Sequence, residues 1–235
     1  MLQKTKGIVI KTFRYGESSL IAKIFTRDYG FQSFFLPAIK SRKKDKQTAL
    51  YQGMNLLDLV IYQKEGKQLN HIKEAKISTL FHSIPADIVK TSLLFFLNEL
   101  LYHSIPEERN PMLFQFVENQ LYMLEKASRN LEMFHHRFML EYARHLGIIP
   151  LDNYTPEIPF FHIETGRFYP VERGGGISRE DSLLIHRLLS DQKEYEFSRY
   201  EREVLLSVLL DFYQTHIPGF PELKSNTILK TILHG

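Results

Sequence analysis

The stretch between residues 7 and 44 constrains this chain most, because it contains three short apolar runs with turn residues between them. The runs cover residues 8–13, 20–26 and 31–36, and a glycine lies in each break. The first run is rich in β-branched residues, which is typical of strands. Three strands joined by short turns form a meander, the usual start of a small β-barrel.

Two further strands are predicted at residues 54–63 and 68–77, with a turn over residues 64–67 between them. Five strands in this part of the chain favour an oligonucleotide-binding (OB) fold, and an SH3-like barrel is the alternative. We therefore expect residues 1–80 to form an OB-fold nucleic-acid-binding domain.

Beyond residue 80 the apolar residues take helical spacing. One helix is predicted to begin at Asn110-Pro111, another to end at Gly147, and a third to start after the N-cap Ser178. The helix that ends at Gly147 is predicted over residues 131–146, and the one after Ser178 over residues 179–189. Three more helices are predicted over residues 88–104, 198–216 and 225–233. The predicted fold class is α+β: an N-terminal five-stranded OB-fold barrel, then an all-helical domain over residues 81–235 with a small hairpin insertion at residues 150–177.

The insertion is predicted as a hairpin over residues 160–169 that turns at residues 164–166. The chain contains no cysteine, and His162 is the only histidine in this stretch. One imidazole cannot make a closed tetrahedral zinc site, so no metal is expected here. We expect the hairpin to be held by packing of its aromatic residues.

Charge is distributed unevenly along the chain. Residues 1–80 contain 15 lysines and arginines against 6 acidic residues, a balance of +9, whereas residues 81–235 contain 15 against 21, a balance of −6. A basic N-terminal part beside an acidic remainder indicates a polyanion-binding module joined to a part with another task. The absence of cysteine fits a reducing cytoplasm.

No enzyme is predicted. A cysteine nucleophile is excluded, and the motifs GxSxG, HExxH and GxxxxGK[ST] do not occur. His135 and His136 are adjacent on a predicted helix and point about 100° apart, so they do not readily share a metal. No apolar run approaches the roughly 20 residues that span a bilayer, and the N-terminus lacks a signal-peptide core. Two alternatives stay open: an RNA-binding barrel protein, and a phosphodiesterase, which would need a carboxylate cluster.

Several segments of the barrel region resemble, in order and spacing, the N-terminal domain of the RecO family of DNA repair proteins. They are Gly7-Ile8-Val9-Ile10, Tyr15-Gly16-Glu17-Ser18-Ser19, Thr26-Arg27-Asp28-Tyr29-Gly30, Ala38-Ile39-Lys40-Ser41-Arg42 and Leu56-Leu57-Asp58-Leu59-Val60-Ile61-Tyr62. Many RecO relatives carry two CxxC pairs that hold zinc. This chain resembles a cysteine-free variant, so zinc-dependent properties are not carried over.

The resemblance implies a recombination mediator in DNA repair and DNA recombination. Such a protein binds single- and double-stranded DNA, anneals complementary strands and works with the partner RecR. It also engages the acidic tail of the single-stranded DNA-binding protein SSB and helps load the recombinase RecA. It needs no cofactor and is expected in the cytoplasm, associated with the nucleoid.

Candidate contact residues follow from charge and strand alternation. In the second run, Leu20, Ala22 and Ile24 share one face, which is expected to turn inwards. Lys23, Phe25 and Arg27 share the other, the outer face of the barrel, although that face could also be simply solvated, with Phe25 under a neighbouring domain. The predicted phosphate contacts are Arg14, Lys23, Arg27, Lys40, Arg42, Lys43, Lys44 and Lys46, and the predicted stacking residues are Phe25 and Tyr29. For the SSB tail the candidates are Arg137, Arg144 and Phe138, with pairing of both arginines to Glu141 as the alternative.

Overall fold

The first five strands close a barrel. They are β1 (Leu2–Tyr15), β2 (Ser19–Thr26), β3 (Gly30–Leu36), β4 (Leu56–Tyr62) and β5 (Asn70–Ile77). Their order around the barrel is β1-β2-β3-β5-β4, with β3 and β5 parallel and the other paired neighbours antiparallel. This is the OB-fold arrangement, and it confirms the predicted barrel rather than the SH3-like alternative.

The structure, a computed structural model, describes residues 1–17, 19–37, 48–63, 69–172, 176–190 and 195–234. It divides into two units, residues 1–127 and residues 128–235.

Strand β1 is longer than the apolar run that predicted it. Its first part pairs with β4, from Leu2 opposite Tyr62 to Ile8 opposite Leu56, and its later part pairs with β2. The leading segment lacks a continuous apolar run because Leu2, which is exposed, is followed by four polar residues, of which Thr5 is buried. Ladder hydrogen bonds, which leave no hydropathy signal, extend the strand there.

The alternation in β2 correctly identifies the barrel interior. Ala22 and Ile24 are completely buried in the barrel core, and Leu20 packs against the same cluster. Phe34 of β3 and Leu57 of β4 complete this core from the neighbouring strands.

After the barrel the first unit continues with α1 (Ser83–Ala86), α2 (Ile88–Ser104) and α3 (Pro111–Lys126). Asp87 caps α2 with a side-chain oxygen that accepts two backbone N–H groups, and Asn110 caps α3 with a side-chain oxygen that accepts one. Helix α3 packs on the barrel, where the Phe25 and Phe114 rings lie 5.6 Å apart.

The second unit contains α4 (Phe134–Leu146), β6 (Phe160–His162), β7 (Arg167–Tyr169), α5 (Arg179–Leu189), α6 (Arg199–His216) and α7 (Ser225–His234). Gly147 ends α4 in the left-handed conformation, and Ser178 caps α5, both as predicted. None of the helices in the described part of the chain is long and apolar enough to cross a membrane.

The predicted hairpin is present as β6 and β7, and aromatic packing holds it. The ring centroids of Phe161 and Phe168 lie 5.1 Å apart, and Tyr154 meets Phe168 edge-on at 5.5 Å. His162 is buried, and its Nε2 lies 2.9 Å from the Val171 carbonyl oxygen. Within the described residues, no group of three or more His, Cys, Asp or Glu side chains could hold a metal ion.

Candidate nucleic-acid interface on the barrel

One row of side chains runs around the outside of the barrel. Each member is the register partner of the next one on the neighbouring strand, in the order Phe13, Ile21, Phe35, His71 and Tyr62. The next row along the strands contains the buried Ala22 and Phe34, so this one faces outwards. We call these five residues the outer row.

Aromatic rings in and beside the outer row are accessible. Phe13 is 39% exposed and Tyr62 is 45% exposed. Phe35 lies between two rings in edge-on contact, Tyr15 at 6.1 Å and His71 at 5.7 Å between centroids. Because every base has a π-face, exposed rings on a barrel of this kind offer stacking platforms for unpaired bases.

The location also fits the fold. In OB folds the face of strands 2 and 3 and the loops between strands 1 and 2 and between strands 4 and 5 bind oligonucleotides. Phe35 is on β3, and Tyr15 ends β1 where that first loop begins. Tyr62 ends β4 at the start of the second loop. The outer row therefore lies where this fold places nucleic acid.

The barrel cations fall into two groups. Four pair with carboxylates: Lys6 with Glu118 at 2.7 Å, Arg27 with Asp28 at 3.3 Å, Lys76 with Asp58 at 3.5 Å and Lys73 with Glu74 at 3.7 Å. Among the described residues, no carboxylate forms an ion pair with the others, which are Lys4, Lys11, Arg14 and Lys23. Lys11 and Lys23 are register partners on β1 and β2. Each lies two residues along its strand from a member of the outer row, Phe13 or Ile21. Cations that pair with no carboxylate of the described residues therefore border the outer row, where a polyanion would meet them.

The pair Lys6–Glu118 serves the fold rather than the surface. The Glu118 side chain is 6% exposed, and the Lys6 pKa is raised, chiefly by its hydrogen bond to that carboxylate. This pair ties β1 to α3 beside the Phe25–Phe114 contact.

Two predicted phosphate contacts are exposed or partly exposed and unpaired. Arg14 is exposed on β1, and Lys23 is half-buried with its Nζ 5.7 Å from the centre of the Phe31 ring. Arg27 is exposed but pairs with Asp28. The basic-loop residues Lys40, Arg42, Lys43, Lys44 and Lys46 lie outside the described residues.

The structure corrects the predicted stacking residues. Phe25 is completely buried against Phe114, so its ring is not available to a base, and its assignment as a stacking residue is wrong. Alternation placed Phe25 on the outer face correctly, but α3 covers that part of the face. Tyr29 is half-buried and packs against the barrel core, which also argues against base stacking.

Sequence reasoning missed Lys11, Phe13 and Tyr15, although β1 carries the pattern that was noticed on β2. These residues are two positions apart, so a cation and two rings alternate along one strand. The contact between Phe35 and His71 has no local signal, because it depends on the parallel pairing of β3 with β5.

In the second unit the three residues predicted to bind the SSB tail have different environments. Phe138 is buried and its ring lies 5.8 Å from that of Tyr142, so its assignment as a tail contact is wrong. Arg144 pairs with Glu141 at 3.3 Å, as the alternative for this residue stated. Arg137 is exposed on the same helix.

These features define a class: an OB-fold protein whose barrel exterior joins exposed rings to unpaired cations, as nucleic-acid-binding OB folds do. The chain also matches two family profiles, Recombination protein O N terminal over residues 1–81 and Recombination protein O C terminal over residues 85–226. The chain belongs to the RecO family of DNA repair mediators.

The chain is similar in sequence to individual relatives over nearly their whole length. The chain is 36% identical to the DNA repair protein RecO of Flavobacterium johnsoniae, covering 97% of this chain and 98% of that one. It is 34% identical to those of Flavobacterium psychrophilum, with coverage of 97% and 98%, and Phocaeicola vulgatus, with coverage of 99% of both chains.

Proposed function

We propose that this chain binds single- and double-stranded DNA through its barrel, anneals complementary strands and helps load RecA onto SSB-coated DNA. One observation carries the proposal: the outer row of the barrel, with its exposed rings, lies beside cations that have no carboxylate partner among the described residues. Membership of the RecO family supports the assignment to DNA repair.

The chemistry of annealing suits this surface. Two DNA strands repel each other through their phosphates, and a basic surface reduces that repulsion as it releases counterions. Rings such as Phe13 and Tyr15 can hold unpaired bases while complementary sequences meet. Neither step consumes ATP.

The two parts of the chain divide the work. Residues 1–80 carry most of the DNA affinity, and the helical part carries most contacts with RecR and with the acidic SSB tail. On α4, Arg137 is the preferred residue for a tail carboxylate because it is exposed, whereas Arg144 already pairs with Glu141. The site of action is the nucleoid in the cytoplasm.

The test is annealing of complementary oligonucleotides coated with SSB, in the absence of ATP. We expect the full chain to accelerate duplex formation. Failure to anneal, together with tight binding to RNA, would favour the RNA-binding alternative. No observation on the described residues favours the phosphodiesterase.

A further inference from the structure

Two lysines of the barrel converge on one aromatic ring of helix α2. Lys11 of β1 and Lys23 of β2 are register partners. The Lys11 Nζ lies 4.0 Å from the centre of the Tyr102 ring, and the Lys23 Nζ lies 5.4 Å from the same centre. The π-face of Tyr102 thus faces two ammonium groups at once.

This arrangement leaves positive charge uncompensated. Like charges directly opposite each other on antiparallel strands repel. A ring attracts cations through its quadrupole but carries no net charge, so it holds the ammonium groups without neutralising them. Among the described residues neither lysine has an ion-pair partner, whereas Lys73 and Lys76 on the same barrel both pair with carboxylates.

The neighbouring titratable group does not change this balance. The ring of His103 lies 4.8 Å from that of Tyr102. Burial lowers the pKa of His103, with an opposing effect of Glu99 and a further lowering by Lys11. The lowered pKa favours the neutral form of the His103 imidazole, so the cations on the Tyr102 ring are the two lysines.

We propose that Lys11, Lys23 and Tyr102 form a phosphate subsite for single-stranded DNA, with Tyr102 as the positioning residue. This deepens the proposed function and rests on it. A phosphodiester group carries one negative charge shared by two non-bridging oxygens, and these two oxygens can bridge two ammonium groups. On the outer face Lys11 is two residues from Phe13, about 7 Å along the strand, so a strand held here brings its bases to the outer row.

The first test compares salt dependence of single-stranded DNA binding. The variant Lys11→Gln/Lys23→Gln loses the one phosphate that both lysines hold, so the slope of log K against log salt should flatten by about 0.7. The matched control Lys73→Gln/Lys76→Gln removes two cations of the same barrel that already have partners and should leave the slope unchanged. Equal flattening in both variants would overturn the subsite, because charge at any position would then suffice.

The second test isolates Tyr102. Tyr102→Leu should weaken binding about two- to fivefold, and Tyr102→Phe should retain affinity because the ring remains. In the Lys11→Gln/Lys23→Gln background, Tyr102→Leu should have almost no effect, since its role acts through the lysines. An equal loss in both backgrounds would show that Tyr102 acts independently of the lysines and would refute its role as their positioning residue.

Two controls keep the conclusions separate. Inorganic phosphate added at constant ionic strength should not displace the DNA, since it makes no stacking contacts, and displacement would identify a free-phosphate site instead. If the wild-type chain fails to bind single-stranded DNA at low salt, the proposed function itself fails. Normal wild-type binding with an unaltered slope in Lys11→Gln/Lys23→Gln refutes the subsite alone.

Discussion

The substitution Gly30→Ala should destabilise the barrel strongly, because Gly30 meets the backbone that connects α2 to α3. Its φ is +71°, and a Cβ there would lie 2.2 Å from the Glu107 carbonyl oxygen and 2.7 Å from the Glu108 carbonyl carbon. Both are backbone atoms, so no side-chain rotation can relieve the overlap. The Phe31 N–H also donates to the Glu107 oxygen at 3.1 Å, and the connection cannot move away without weakening that hydrogen bond.

The magnitude follows from three contributions. A left-handed conformation costs a residue with a Cβ about 1 kcal/mol. The weakened hydrogen bond costs about 1 kcal/mol. Displacing the connection disturbs the adjoining packing of Phe25 on Phe114 by about the same amount or more. The expected loss is about 3 kcal/mol in the free energy of unfolding, or roughly 6–12 °C in Tm for a chain of this size.

Urea unfolding followed by circular dichroism measures this loss, and Gly16→Ala is the matched control. Gly16 has a similar φ of +64°, but no described atom lies within 4 Å of a Cβ built there. Gly16→Ala should therefore cost about 1 kcal/mol, from the backbone conformation alone. If Gly30→Ala and Gly16→Ala have equal effects, the close approach of the α2–α3 connection is refuted.

Three further predictions concern charge and metal. The Glu125 carboxylate accepts three backbone N–H groups at the start of α1, and these bonds outweigh the effect of burial and lower its pKa. Glu125→Gln should therefore destabilise the chain by about 1 kcal/mol at pH 7 in thermal unfolding, and the difference should disappear as the pH falls through the lowered pKa. A pH-independent difference would refute this. Because the chain has no cysteine, elemental analysis should find no stoichiometric zinc and chelators should not change Tm, whereas one tightly held zinc per chain would contradict our account of the hairpin. Replacing the basic-loop residues Arg42, Lys43 and Lys44 by glutamate should flatten the slope of log K against log salt for single-stranded DNA binding by roughly 2, with unchanged melting. Equal slopes for wild type and variant would show that this loop does not contact DNA.

Much of the fold was predictable because its signals are local. Alternation in β2 identified Ala22 and Ile24 as interior residues, and both are completely buried. Helix ends were readable where a single residue determines them, as Gly147 and Ser178 do. The RecO resemblance carried by the barrel segments was confirmed by matches that extend over both halves of the chain.

The interface was less predictable because it depends on which strands and helices meet. Phe25 and Phe13 are both outward-facing aromatic residues of the barrel, yet α3 covers Phe25 and leaves Phe13 39% exposed. Nothing near Phe35 in the sequence indicates its contact with His71, since β3 and β5 become neighbours only when the barrel closes. Charge counts likewise do not distinguish the paired Arg27 from an unpaired cation.

The most direct test of the central claim, that the outer row stacks unpaired bases, is the affinity of Phe35→Leu for fluorescent single-stranded DNA at several salt concentrations. Leucine keeps apolar bulk between Tyr15 and His71 but removes the ring. Stacking on a ring is worth about 1–3 kcal/mol per base, so affinity should fall at least about fivefold, while the salt slope stays unchanged because no phosphate contact is lost. The control Phe95→Leu, at a ring of α2 that is 58% exposed, should bind like wild type. Equal affinities of the two variants, with equal melting, would contradict the claim.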